Sequence, residues 1–468
     1  MAPLIHAFCA LDKKYVYDAN ANSIIPLDNE EWEVAKLIEQ GICSSETEEL
    51  ISRYNKHGYF FSPDIKEIEH PDTEIMKYHL TRKISKLTLQ VTQRCNLRCS
   101  YCVYSGDGTY DSRSHSNKTM TFETAKKAID YVLQSSIDSN LVNFSFYGGE
   151  PLLELDLILE CIDYVKARRG AKRVTFNLTT NGTLLTIEIY KVLSDYDVSI
   201  LVSLDGPKPV HDNTRKYIDG GGSYDDIMRN VNAIRSIFPD ANKRLSFLAV
   251  ASPYINDSCL DDLYSLDDVM PYYDISLSFM TDTYTDVNIS YTDQFFSIYI
   301  QERTKLFLYM LGKLDKEKVA RLMLDGEDRL RLKFRDLRPI KALPEKCHHG
   351  GPCLAGVHRL FLSVDGVYYS CERVSEDSNV MQIGTVEDGI DIEKATNLIN
   401  VGKVTEEECK NCWAILHCTM CAAHADDMSC LSKEVKLRRC KSVKAQVEDI
   451  FKEVCFLKAN NYNFLDKF

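Results

Sequence analysis

The chain has 468 residues, 44 % apolar and 27 % charged, which is the composition of a soluble globular protein with room for about three domains. Its formal charge of -13 argues against general nucleic-acid binding, which needs clustered Lys and Arg. No apolar run of spanning length and no charged-then-apolar leader is present, so neither membrane insertion nor secretion is expected and a cytoplasmic protein is.

Residues 1–80 are expected to form a unit with its linker. Ile5–Leu11, Tyr15–Asp18 and Ser23–Ile25 read as short strands separated by turn-forming runs, the second being Ala19-Asn-Ala-Asn22. Asp28 and Glu31 then suit a capping box on a helix with Val34, Leu37 and Ile38 on one face, and Ser45–Glu48 opens a second helix carrying Leu50, Ile51 and Tyr54. Tyr59–Phe61 follows as a wing strand, and the polar stretch Ser62–Lys83, with Pro63 and Pro71, as a linker. This order of elements resembles a winged-helix unit.

From Lys86 the pattern becomes one of alternating strands and helices. Apolar runs at Leu87–Val91, Asn143–Phe146, Val174–Leu178, Val198–Leu204, Leu245–Val250 and Ile275–Phe279 are separated by helical periodicity at Phe122–Leu133, Leu153–Lys166, Leu185–Leu193 and Tyr224–Ile237. Such strands with helical crossovers imply a parallel sheet covered by helices. Six units are too few to close an eight-stranded barrel, so residues 84–290 are expected to form an α/β partial (β/α)6 TIM barrel with its chemistry at the C-terminal strand ends. Residues 291–342 read as a helical bridge. Residues 343–468 are irregular and Cys-rich up to a last helix with Val443, Val447, Ile450, Phe451 and Val454 on one stripe.

The seventeen cysteines are unevenly spread: three fall at positions 95–102 and nine between Cys347 and Cys440. In a reducing compartment such clusters read as metal sites or catalysis. Cys95-x3-Cys99-x2-Cys102 follows the first barrel strand directly. Three thiolates on one loop can hold a cubic cluster while leaving one iron open for chemistry, and a three-Cys zinc site is the plain alternative. Phe146-Tyr-Gly148-Gly149-Glu150-Pro follows the second strand, Thr180-Asn181-Gly the third, and Ser203-Leu-Asp-Gly with Arg215 the fourth. Together these motifs resemble the radical S-adenosylmethionine superfamily, over roughly residues 86–290. The resemblance implies a [4Fe–4S] cluster on Cys95, Cys99 and Cys102, with Tyr101 as the aromatic before the last cysteine. It also implies S-adenosylmethionine held by Gly148, Gly149, Glu150, Asn181, Ser203 and Arg215, and cleaved to a 5′-deoxyadenosyl radical.

Downstream, Cys347-x5-Cys353-x17-Cys371 and Cys409-x2-Cys412-x5-Cys418-x2-Cys421, with Cys430 and Cys440, resemble the SPASM extension of peptide-modifying enzymes, with Val364–Tyr368 as a hairpin. By position, that resemblance assigns Cys347, Cys353, Cys371 and Cys421 to one auxiliary [4Fe–4S] cluster. It assigns Cys409, Cys412, Cys418 and Cys440 to another, with Cys430 competing for the last place, and gives three clusters in all. The pattern departs from the usual one between Cys418 and Cys421, where two residues stand in place of three. Zinc is the alternative for all eight. Glu372, next to Cys371, matches the proposed base of sulfatase-maturing relatives. Cys9, Cys43, Cys161, Cys259, Cys430 and Cys455 are left over and read mostly as buried thiols. The loop Ser105–Lys118 is expected to be flexible, and to serve as a lid or a substrate contact.

Winged-helix-like unit, radical core and SPASM extension together resemble maturases of the sactipeptide or ranthipeptide type. Such an enzyme would form thioether crosslinks in a Cys-rich ribosomally made precursor peptide. The N-terminal unit would capture the leader as an added strand, and a low-potential donor such as flavodoxin or ferredoxin would supply electrons. Carbon–carbon crosslinking and anaerobic formylglycine formation are the alternatives within the family, and a zinc-stabilised binding protein is the alternative outside it.

Overall fold

The computed structural model describes residues 2–104, 115–253, 274–280, 282–285 and 289–465. Cys259 and positions 105–114 of the expected lid lie outside the described residues. The strands β1 (Ile5–Ala10), β2 (Lys13–Asp18) and β3 (Ser23–Leu27) form an antiparallel sheet with β2 in the middle. The helix Asn29–Glu39 carries the expected Asp28–Glu31 capping box. In the helix Ser45–Asn55 the cap is Ser44, one residue before the expected position, because its hydroxyl accepts from the Thr47 amide.

Two expectations for this region fail. Tyr59–Phe61 is not a strand: Phe60 adopts φ +62° and is buried, its amide donates to Asp18 at 2.7 Å, and its ring stacks on Tyr54. Burial of the ring and capture of the amide outweigh pairing. The stretch 62–83 is not a loose linker either. Its strand β4 (Glu67–Ile68) pairs in parallel with β11 (Lys346–Cys347), and the helix Met76–Arg82 buries Met76 and Leu80 in the main core. A few apolar residues, Ile65, Ile68, Met76 and Leu80, decide this against a polar composition.

The barrel follows the expected order. Strands β5 (Lys86–Thr92), β6 (Leu141–Gly148), β7 (Arg173–Thr180), β8 (Val198–Ser203), β9 (Leu245–Ala251) and β10 (Asp274–Phe279) lie side by side, all parallel. The helices Phe122–Gln134, Leu155–Arg168, Ile187–Asp195 and Tyr224–Ile237 connect them, and Thr121 and Thr186 cap two of these through side-chain oxygens. Each helix turns its apolar stripe to the sheet, as Ala125, Ala128, Ile129 and Val132 do on the first.

The Cys-rich segment does not stand apart from this sheet. Strand β12 (Leu360–Leu362) adds in parallel to the free side of β5, with Leu360 opposite Leu87. Strands β13 (Val367–Tyr369), β14 (Gln382–Thr385) and β15 (Gly389–Ile390) continue antiparallel, giving ten strands. The β12–β13 turn is the expected hairpin, with Gly366 at φ +79°. The bridge is helical, as expected, at Asp293–Met310 and Arg321–Asp336. The last helix, Cys440–Ala459, buries Val443, Val447, Phe451 and Val454.

The N-terminal sheet is covered on both faces. Val16, Ile5 and Leu27 face its own helices, whereas Phe8, Ala10 and Tyr17 pack with Trp413, Val447, Phe451 and Cys455. The turn 19–22 is bolted into the C-terminal half. Asn20 accepts from the Leu343 amide at 2.9 Å, Asn22 donates to the Asp336 and Arg338 carbonyls at 2.8 Å each, and the Asn22 side-chain oxygen meets His417 Nε2 at 2.9 Å. Among the described residues no helix is long and apolar enough to cross a membrane.

Candidate active site and thiol clusters

The C-terminal ends of β5 to β8 gather the sequence-marked residues of the barrel. Cys95, Cys99 and Cys102 lie on the loop after β5, within electrostatic reach of one another. Burial raises all three thiols, Cys95 to about 11 and Cys102 to about 12. The loop is held by its neighbours. The Arg98 amide donates to the Lys216 carbonyl at 2.7 Å, the Ser100 amide to Thr214 at 3.0 Å, and Leu97 bridges to Tyr217. The Leu97 and Tyr104 amides point at the Cys95 and Cys102 sulfurs, both at 3.4 Å.

Gly148 and Gly149 press on the root of this loop. The amides of Gly149 and Glu150 donate to the Thr92 and Arg94 carbonyls at 2.9 and 2.8 Å. A Cβ on Gly149 would stand 2.1 Å from the Arg94 oxygen, so no larger residue fits without moving the strand. Glu150 is fully buried, and its carboxylate accepts from the Leu152 amide at 3.0 Å and from the Thr180 hydroxyl and Asn181 amide at 2.7 Å. Asn181 donates to Asn96 at 2.8 Å and reaches the Cys95 sulfur at 3.9 Å. Arg215 donates to Asp205 at 3.0 Å, reaches the Cys99 sulfur at 3.9 Å and lies over the Tyr101 ring. Ser203 ends β8, buried, two residues before Asp205.

Asp205 is the centre that the sequence reading did not single out. Besides Arg215 it accepts from the Tyr101 hydroxyl, from Thr214 at 3.2 Å and from the Val250 amide at 3.0 Å. Its signal was present: an Asp-Gly directly after the fourth strand, ten residues before Arg215.

Two further thiol groups stand in the C-terminal half. Cys421 lies within reach of Cys371 and Cys353. Cys412 and Cys418 lie within reach of Cys409, and Cys440 of Cys409 and Cys412. Cys347, expected with the first group, lies within electrostatic reach of Cys409, and its backbone pairs with β4. Cys430 is exposed and bonded to Asp427 at 3.1 Å, so the structure gathers Cys440 into the group and leaves Cys430 out. Glu372 follows Cys371 with both carboxylate oxygens engaged by Arg359. Of the left-over cysteines, Cys161 and Cys455 are buried as expected, but Cys9, Cys43 and Cys430 are exposed. Cys9 lies near the end of β1, beyond the cover over Ile5, and Cys43 and Cys430 sit outside the helices and strands.

Among the described residues no three His, Cys, Asp or Glu converge as one metal ion would require. Two orphaned or lone polar groups mark the downstream region. His349 is buried with both ring nitrogens unpartnered, and Lys436 is buried against Cys409. Lys436 fits a site whose remaining acceptors are thiolates.

The barrel is similar to known proteins. Residues 89–266 match the model of the Radical SAM superfamily. The chain is 27 % identical over 258 residues to the radical SAM cyclopropyl synthase TigE of Paramaledivibacter caminithermalis, covering 52 % of this chain and 53 % of that one. It is 29 % identical over 158 residues to a cysteine-type anaerobic sulfatase-maturating enzyme of Clostridium novyi, covering 33 % and 41 %. The chain thus spans about half the length of the curated relatives it matches. Among solved structures, native anSMEcpe with bound AdoMet shares the fold at 20 % identity and a TM-score of 0.59, covering 81 % of this chain and 100 % of that one.

Proposed function

We propose, from the match of residues 89–266 to the Radical SAM superfamily, a peptide maturase of that superfamily that forms thioether crosslinks in a Cys-rich, ribosomally made precursor. The observation that carries this reading is the set of three thiols at the end of β5, Cys99 buried and Cys95 and Cys102 half-buried, braced by β6, β7 and β8, with two more thiol groups downstream. Cys95, Cys99 and Cys102 would hold one [4Fe–4S] cluster, and the downstream groups an auxiliary cluster each. When bound, the first cluster and S-adenosylmethionine supply a 5′-deoxyadenosyl radical able to abstract hydrogen from a peptide carbon.

The chain's own residues bind, orient and exclude water. The Gly148–Glu150 turn presents backbone at the mouth of the cysteine loop, and Asn181 ties that loop to β7. Asp205 anchors Arg215 and Tyr101 beside Cys99. Glu372 would take the proton of a peptide thiol, with Arg359 steadying its carboxylate. The N-terminal sheet would receive the leader. A low-potential flavodoxin or ferredoxin would bring electrons. Each crosslink removes two hydrogens, one from carbon and one from sulfur.

Formylglycine formation is the second reading, favoured by the likeness to the sulfatase-maturating enzyme. Product mass separates the two. A thioether costs two hydrogens and one free thiol per link, whereas formylglycine consumes the thiol without a ring. Two hydrogens lost with every thiol intact would instead mean a carbon–carbon link. Reconstituted protein should hold about twelve irons, from three four-iron clusters, and make 5′-deoxyadenosine when reduced with S-adenosylmethionine. Cys99→Ala should lower the iron to about eight and abolish deoxyadenosine. Zinc in place of iron would end the radical reading.

A further inference from the structure

Lys436, on the helix Lys433–Arg438, is completely buried. Its ammonium donates to the Val401 carbonyl at 3.0 Å and the Thr405 hydroxyl at 2.8 Å, and reaches the Cys409 sulfur at 3.8 Å. That uses all three N–H donors. Among the described residues no carboxylate pairs with it, although the protein supplies such partners to its other deeply buried cations: Asp205 to Arg215 and Glu327 to Arg331. A buried ammonium without a countercharge is costly. It acts on Cys418 and Cys440 as well as Cys409, three of the four cysteines of the second downstream group, and more widely on His348, His349 and Glu408, the last of which pairs with Lys433. Thr405, itself buried, joins the same cluster with its hydroxyl 3.2 Å from the Cys409 sulfur. Toward solvent the group also meets the exposed Glu408 and the partly solvated Lys444.

Resting on the proposed reading of these cysteines as cluster ligands, we infer that Lys436 is the built-in counter-cation of the cluster held by Cys409, Cys412, Cys418 and Cys440, and that it sets that cluster's reduction potential. Four thiolates around an iron–sulfur core leave the site anionic, which answers the missing carboxylate. One-electron reduction adds a further negative charge, and a fixed ammonium in a low-dielectric surround favours that state. Lys436 touches no substrate; it is a positioning and tuning residue. It therefore biases whether this cluster takes up the electron released when a peptide crosslink forms.

The test is a redox titration of the reconstituted full chain, followed by electron paramagnetic resonance, with iron and sulfide counted. The second cluster's signal is identified as the one that Cys412→Ser removes. In Lys436→Met this signal should become harder to reduce, its reduced-to-oxidised ratio at a fixed potential falling about tenfold, which for a one-electron couple is about 59 mV. Lys436→Arg should stay close to wild type. Lys436→Gln, which keeps a donor without the charge, should shift as Met does and guards against a Met variant that misfolds. An unshifted signal in both neutral variants, with full iron, would overturn the inference while leaving the radical reading intact. A shift confined to signals that survive Cys412→Ser would overturn it too. Absence of iron from the wild-type chain would overturn both.

Discussion

At the scale of single residues, pairing decides what a side chain is free to do. Glu372 stands beside Cys371, where the sequence reading expects a base, yet Arg359 engages both of its oxygens. A base in that position must yield its partner as the proton arrives. Glu372→Gln is expected to keep deoxyadenosine formation and lower crosslinked product by about 100-fold or more. A fall in product of less than tenfold, read by mass spectrometry, would reduce Glu372 to a tether for Arg359. Arg215 shows the same effect from the other side. Its donor character is legible in sequence, but its engagement by Asp205 is not, because the two are brought together by the return of the chain after β8. The cysteines divide likewise. Spacing marks Cys95, Cys99 and Cys102 as one group, while the choice of Cys440 over Cys430 depends on the final helix reaching back to Cys409.

At the scale of elements, His6 on β1 joins the N-terminal sheet to the last helix. Its ring stacks on Trp413 at 3.9 Å, with Nδ1 2.6 Å from Glu39 and Nε2 2.9 Å from Glu448. Burial opposes the charged ring, but the hydrogen bonds and charges of both carboxylates outweigh it and lift the histidine above its ordinary value. Lys452 also pairs with Glu448. The sign follows from the raised value. The stabilisation is complete below the ordinary histidine range near pH 6.5 and fades as pH rises through the folded-state value. Thermal unfolding should therefore show a wild-type advantage over His6→Gln at pH 6 that shrinks by pH 8.5. An equal difference at both pH values would show that packing on Trp413 alone carries the contact. The barrel strands and their capped helices are legible because apolar periodicity and side-chain caps are local. The pairing of β4 with β11 is not, since two-residue strands carry no period.

At the scale of the whole molecule, the N-terminal unit and the Cys-rich segment are built into one another. Removing residues 1–62 would uncover Trp413, Val447 and Phe451 and take away the Asn20 and Asn22 anchors of the 336–343 segment. The shortened chain is expected to lose iron from the second downstream group and to aggregate, while a chain with a freely tethered recognition domain would keep all its iron. Iron content after gel filtration distinguishes these outcomes. The barrel sheet is shared in the same way: β12 to β15 extend it beyond β5, so Cys353 and Cys371 are positioned by the edge of the barrel itself.

Local chemistry is written in order along a chain. The sequence alone therefore determined the six parallel strands, the helices between them and the cysteine loop. Long-range closure is not so written. Only the tertiary structure decided that the stretch 62–83 packs inward through Ile65, Ile68, Met76 and Leu80, that the C-terminal hairpin completes the barrel sheet, that Cys347 comes within electrostatic reach of Cys409, and that Lys436 is buried beside Cys409 without a carboxylate ion pair. Each depends on which distant surfaces exclude water together, and a burial shared by segments hundreds of residues apart leaves no periodic trace in either.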